Sequence, residues 1–197
     1  MPPPTARRIG RRGRISAIVA VVLLLLSAAY LTVTLRYGLG AGNSWAHPQS
    51  FSDSSAGDIR EYRYLAQSGR TIEYGFSIAN RGPVSVTLEE VVDHGGLEYS
   101  VDRVRMEPDV TRQGVTGFHA VPFQPIDLGQ DDQVFIWVTL RFPEGAQMGG
   151  PCAAFRFDTQ SVRFTALGMP REQRVPIGHV IAVTTPDADG QPCAAYR

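Results

Sequence analysis

The chain has 197 residues, 19 arginines and no lysine, 19 acidic residues and a formal net charge of zero. The zero conceals an asymmetry: every acidic residue lies after Arg36, with 13 arginines, so that part carries a net charge of −6. A surface of that sign repels phosphates and argues against nucleic-acid binding, and the absence of lysine excludes a phosphate-binding loop that depends on one.

Residues 1–14 form a Pro- and Arg-rich tail containing Arg7, Arg8, Arg11, Arg12 and Arg14. Residues 15–36 follow as a transmembrane signal anchor. The apolar run 15–35 carries no charge, and at about 1.5 Å per residue its 21 positions reach roughly 31 Å, a bilayer's hydrocarbon thickness. Five arginines before it and only Arg36 close behind keep the tail cytoplasmic and send the rest across a cell membrane. A cleaved signal peptide also begins with basic residues, but its apolar core is shorter, and Gly40-Ala41-Gly42 makes a mediocre cleavage site. The Arg11-Arg12 doublet lacks the apolar pair of a twin-arginine export signal.

Residues 37–57 read as a flexible juxtamembrane linker, opening with Gly38-Leu39-Gly40-Ala41-Gly42-Asn43-Ser44. Tyr37 and Trp45 within it are sited for an interfacial aromatic belt. Residues 58–197 remain, enough for one buried core.

Inside that domain the period is two. Ile72, Tyr74, Phe76 and Ile78 alternate with smaller or polar residues, Asn80-Arg81-Gly82-Pro83 makes a turn, and Val84, Val86 and Leu88 resume the alternation. Val134, Ile136, Val138, Leu140 and Phe142 line one face of a long strand, with Phe135 and Trp137 on the other, as expected near the middle of a sheet. Further strands are expected at 62–66, 97–104, 118–123, 154–157, 162–167 and 175–184. No window carries a helical stripe. Some eight short strands between Gly-, Pro- and Asp-rich turns predict an all-β antiparallel sandwich.

Two passages carry a resemblance. Residues 74–88, with the Asn80-Arg81-Gly82 corner, resemble the Asn-x-Gly corner between strands in bacterial immunoglobulin-like surface domains. Residues 123–134, running Phe123-Gln124-Pro125 to Leu128-Gly129-Gln130-Asp131 and into a long strand, resemble a second passage of such domains. The resemblance implies an immunoglobulin-like β-sandwich, a fold that hosts many unrelated functions. The all-Arg basic set fits GC-rich coding and a bacterial source.

Cys152 and Cys193 are the two cysteines, in Pro151-Cys152-Ala153-Ala154-Phe155 and Pro192-Cys193-Ala194-Ala195-Tyr196. In an oxidising compartment they read as a structural disulfide, whose loop of about 40 residues stabilises the fold by roughly 4 kcal/mol. A metal or redox role would need a Cys-x-x-Cys or a Cys with His at ligand spacing, and neither occurs.

Catalytic patterns are missing: there is no Gly-x-Ser-x-Gly and no His-Glu-x-x-His. The expectation is a non-enzyme without a cofactor. His47, His94, His119 and His179 are scattered, although with Met106, Met148 or Met169 they offer copper-type ligands should strands bring them together. Asp187-Ala188-Asp189-Gly190 is a fragment of a calcium loop, or an Asp-Gly turn. These features predict an interaction or structural module of the cell envelope, with the lipid bilayer and an envelope protein as partners. The alternative is an envelope copper metallochaperone or accessory assembly factor, a class with one N-terminal helix and an immunoglobulin-like domain, but its paired-cysteine motif is absent here.

Overall fold

The computed structural model describes residues 11–46, 52–56, 59–66, 69–93, 99–107, 120–142, 150–191 and 193. They form two units, residues 1–37 and 38–197.

The first unit is one helix, α1 (Arg11–Arg36), whose segment Ile15–Thr32 has a mean hydropathy of 2.5 and is long and apolar enough to cross a membrane. Its apolar side chains point in every direction, and Leu23, Leu24, Leu25 and Leu26 are all exposed. A helix apolar all round is suited to an apolar solvent.

The second unit is built of strands, packed as two sheets. The first sheet has the order β1-β4-β9-β6-β7, with β1 (Gly40–Ala46), β4 (Thr71–Ala79), β6 (Ser100–Glu107), β7 (Val121–Pro122) and β9 (Gln133–Arg141). The second has the order β2-β3-β11-β10-β5-β8, with β2 (Ser52–Ala56), β3 (Ile59–Leu65), β5 (Val86–Val91), β8 (Ile126–Leu128), β10 (Ala154–Ala166) and β11 (Met169–Thr184). The period-two residues meet between the sheets: Tyr74, Phe76, Ile78, Val134, Ile136 and Val138 from one, Tyr62, Tyr64, Val162, Phe164, Ile181 and Val183 from the other, all buried. Tyr74 spans the gap, its ring 5.6 Å from Phe157 and its hydroxyl donating to Gln160 Oε1 at 2.6 Å. The result is a β-sandwich.

Four sequence expectations change. Residues 37–57 are not simply a linker, because β1 and β2 lie within them and the β unit begins at Gly38. Pairing with β4 recruits β1, whose small residues give it no period of their own. The sandwich is not wholly antiparallel, since β3 runs parallel to β11, Glu61 opposite Val180 and Leu65 opposite Thr184. The strands expected at 154–157 and 162–167 are one strand, β10, joined to β11 by a two-residue turn at Leu167 and Gly168. The strand expected at 118–123 is reduced, among the described residues, to Val121–Pro122.

β11 bulges sharply. Phe157 stands opposite Ile181, but Thr159 stands opposite Pro176, so on the β10 side residues 177–180 have only Asp158 opposite them. Gly178 inside the bulge has φ of 84°, a left-handed conformation that a side chain would strain.

Candidate functional site

The bulge and the start of the unit meet at β1. Leu39 is buried, and its backbone is gripped by the Gln173 side-chain amide: Leu39 N donates to Oε1 at 2.9 Å, and Nε2 donates to Leu39 O at 2.8 Å. Further along, β1 carries its own irregularity between Ala41 and Trp45, where Ser77 Oγ accepts from Ser44 N and donates to Ser44 O, both at 2.9 Å. This turns Trp45 away from its own sheet. Its ring lies 5.5 Å from both Tyr62 and His179, which are 5.3 Å from each other edge-on, and the Arg60 guanidinium sits 5.3 Å over the indole. Trp45 therefore bolts β1 to the opposite sheet, in contrast to the membrane-interface role expected of it.

Beside the other end of β1 stands the Asn80 corner. Asn80 is fully buried; Nδ2 donates to Val84 O at 2.8 Å and to Leu128 O at 2.9 Å, while Oδ1 accepts from Gly82 N at 3.0 Å. Its backbone joins the next turn as well, Asn80 N to Asp132 O at 2.9 Å and Asp131 N to Asn80 O at 2.7 Å. One amide thus ties the β4–β5 turn to β8 and to the turn before β9. The corner was legible as a turn, and its keystone role was not.

Around this keystone opens a polar cleft of about 270 Å³, lined by Asn43, Ala79, Arg81, Asp131 and Gln133. Arg81 reaches across to β1, where Nη2 donates to Ala41 O at 3.2 Å and to Asn43 Oδ1 at 3.4 Å. Asp131 holds a left-handed backbone, φ 63°, which aspartate tolerates better than most residues. This cleft, with a cation, an anion and two amides, is the candidate site; no sequence motif marks Arg81, Asp131, Asn43 or Gln133 as ligands.

The cysteines, the Asp187 loop and the candidate His and Met ligands lie elsewhere. Cys152 and Cys193 stand at disulfide distance, their Cα atoms 5.7 Å apart. Asp187 Oδ1 accepts from Asp189 N and Gln191 N, at 3.0 and 2.8 Å, and Gly190 has a left-handed φ of 77°; the carboxylate serves a tight turn. His179 is buried in the aromatic triad, Met106 is buried on β6, and Met169 begins β11. His47, His94, His119 and Met148 lie outside the described residues. Among the described residues, no three His, Cys, Asp or Glu side chains cluster in a way that could hold a metal ion.

Burial raises the Tyr74 phenol well above its ordinary value, with Tyr99 and Asp93 adding to the effect. Tyr64 is raised for the same first reason, with Tyr62 adding to it, and among the described residues its hydroxyl has no hydrogen-bond partner.

No family model matches the chain, and no curated protein matches it. Among solved structures it is similar to a family 123 glycoside hydrolase from Clostridium perfringens, at 8% identity and a TM-score of 0.35, covering 69% of this chain and 24% of that one. It is similar as well to the PapD-like domain 7 of human CEP192, at 13% identity and a TM-score of 0.31, covering 73% of this chain and 91% of that domain. The chain thus spans about a quarter of the hydrolase, and similarity at this level carries no functional argument.

Proposed function

We propose that this protein is a single-pass, membrane-anchored interaction module of a bacterial cell envelope, with an immunoglobulin-like sandwich outside the cytoplasm that binds a protein partner. The observation that carries the reading is the exposed apolar surface of Ile15–Thr32, which a bilayer covers and water does not. The arginines before the helix set its direction, tail inside. Two further features support it. Cysteines at disulfide distance suit an oxidising compartment, and cleavage near Gly42 would cut through β1 and discard the Leu39 clamp. The sheet edges β1, β2, β7 and β8 offer backbone groups for strand addition by a partner.

The test is topological. A reporter enzyme active only outside the cytoplasm, fused after Arg197, gives full activity, and neutralising Arg7, Arg8, Arg11, Arg12 and Arg14 reduces it. A mature N-terminus near Gly42 or Asn43, or a reporter active only in the cytoplasm, overturns the reading.

A further inference from the structure

We infer that the cleft beside the Asn80 corner binds a small zwitterionic group: a primary ammonium joined by a short linker to a phosphate or carboxylate. Arg81 and Asp131 line the same cleft, and among the described residues neither takes part in an ion pair, with the other or with a third group. Opposite charges on a free surface drift together when their side chains allow it. Here Arg81 is instead drawn toward β1 by Ala41 O and Asn43 Oδ1, while Asp131 N donates to Asn80 O. Among the described residues Arg81 Nε and Nη1 donate to no partner, which matches an anionic oxygen group, and the side-chain amide of Asn43, whose oxygen faces Arg81, has its N–H groups left to assist. The Asp131 carboxylate matches an ammonium.

Charge decides between a zwitterion and a plain anion. Residues beyond Arg36 carry a net charge of −6, so a bare anion approaches against the field of the domain. A ligand that brings its own cation to Asp131 leaves the cleft neutral and meets no such barrier. Volume restricts the choice further, because about 270 Å³ lies below the usual range for drug-sized ligands and suits a headgroup or an amino-acid-sized molecule.

The experiment uses the full chain in uncharged detergent micelles, titrated with phosphoethanolamine and β-alanine as zwitterions, and with ethanolamine and inorganic phosphate as the separate halves. Saturable binding of a zwitterion is expected, at least about tenfold tighter than either half. Arg81→Gln and Asp131→Asn are each expected to weaken it by about tenfold or more, while Arg141→Gln, on β9 and paired with Asp102, leaves it unchanged. Asparagine keeps the left-handed backbone available, so Asp131→Asn remains informative even if Arg81→Gln fails to fold. Phosphate binding as tightly as the zwitterions, unaltered binding by Asp131→Asn, or no saturable binding of any probe overturns the inference. Nanodiscs then assign the source: discs of phosphatidylethanolamine that suppress phosphoethanolamine binding, relative to discs of phosphatidylcholine, identify a lipid headgroup, and equal binding in both identifies a soluble ligand.

Discussion

Replacing Asn80 tests the architecture most directly. Asn80→Ala removes three side-chain hydrogen bonds at a fully buried position, two to carbonyl oxygens and one from an amide. Each such bond contributes about 1 kcal/mol net, and each buried partner left unmatched costs about 1–3 kcal/mol. Val84 and Gly82 are half-buried and regain water, whereas Leu128 is buried on β8, so the loss is expected at about 3–4 kcal/mol. For a unit of this size that lowers Tm by roughly 6–15 °C. Asn80→Asp has the same shape but turns a carboxylate toward two carbonyl oxygens. Its folded pKa is raised above the ordinary value of about 3.9, so its stability relative to the parent declines as pH rises above about 4. Denaturant unfolding of the full chain, followed by tryptophan fluorescence at several pH values, measures both effects, with exposed Asn43→Ala as a control expected within about 0.5 kcal/mol of the parent. A loss below about 1 kcal/mol for Asn80→Ala, or a pH-independent Asn80→Asp, refutes the keystone argument.

Peptide mapping of the oxidised protein is expected to find Cys152 joined to Cys193, and reduction to lower stability by about 2–4 kcal/mol; two free thiols would contradict this. Gly75→Ala sets a Cβ 2.4 Å from Phe135 Cε1, a ring that is fully buried, so a loss of about 1–3 kcal/mol is expected in thermal unfolding. Because burial raises Tyr74 above the ordinary tyrosine value of 10.0, its folded-state contribution is complete below pH 10 and is lost as pH climbs beyond it. Tyr74→Phe is therefore expected to cost about 1 kcal/mol at neutral pH, by losing the bond to Gln160, and to flatten the alkaline fall in stability.

The strands that sequence reveals are those whose large apolar residues recur at every second position. On β4, Ile72, Tyr74, Phe76 and Ile78 stand opposite Leu140, Val138, Ile136 and Val134 of β9, all of them buried, and the large apolar residues keep the period although the smaller Gly75, Ser77 and Ala79 between them are buried as well. β1 had no such signal: Gly40-Ala41-Gly42-Asn43-Ser44 becomes a strand through Ser77 and the β4 ladder, contacts more than thirty residues away in the chain. Asp158-Thr159-Gln160-Ser161 reads as a break because it is polar, yet Gln160 meets Tyr74 across the sandwich and β11 bulges to hold the strand continuous. The parallel register of β3 on β11 is a tertiary choice without a local mark. For the candidate cleft, the Asn-x-Gly motif announced a turn, but Asp131 and Asn43 reach it from two other places, and only the folded topology joins them.

The Gln173 grip on Leu39 has a mechanical consequence. On the proposed topology, any pull between a partner and the membrane runs through the backbone at Tyr37 and Gly38, and the amide clamp is the first set of bonds to bear it. The load divides there. Gln173 passes tension into the long β10–β11 hairpin, while the ladder from Gly40 to Ala46 passes it into β4. Neither sheet can be peeled from the tether alone, and Trp45 at the far end of β1 keeps the two yielding together.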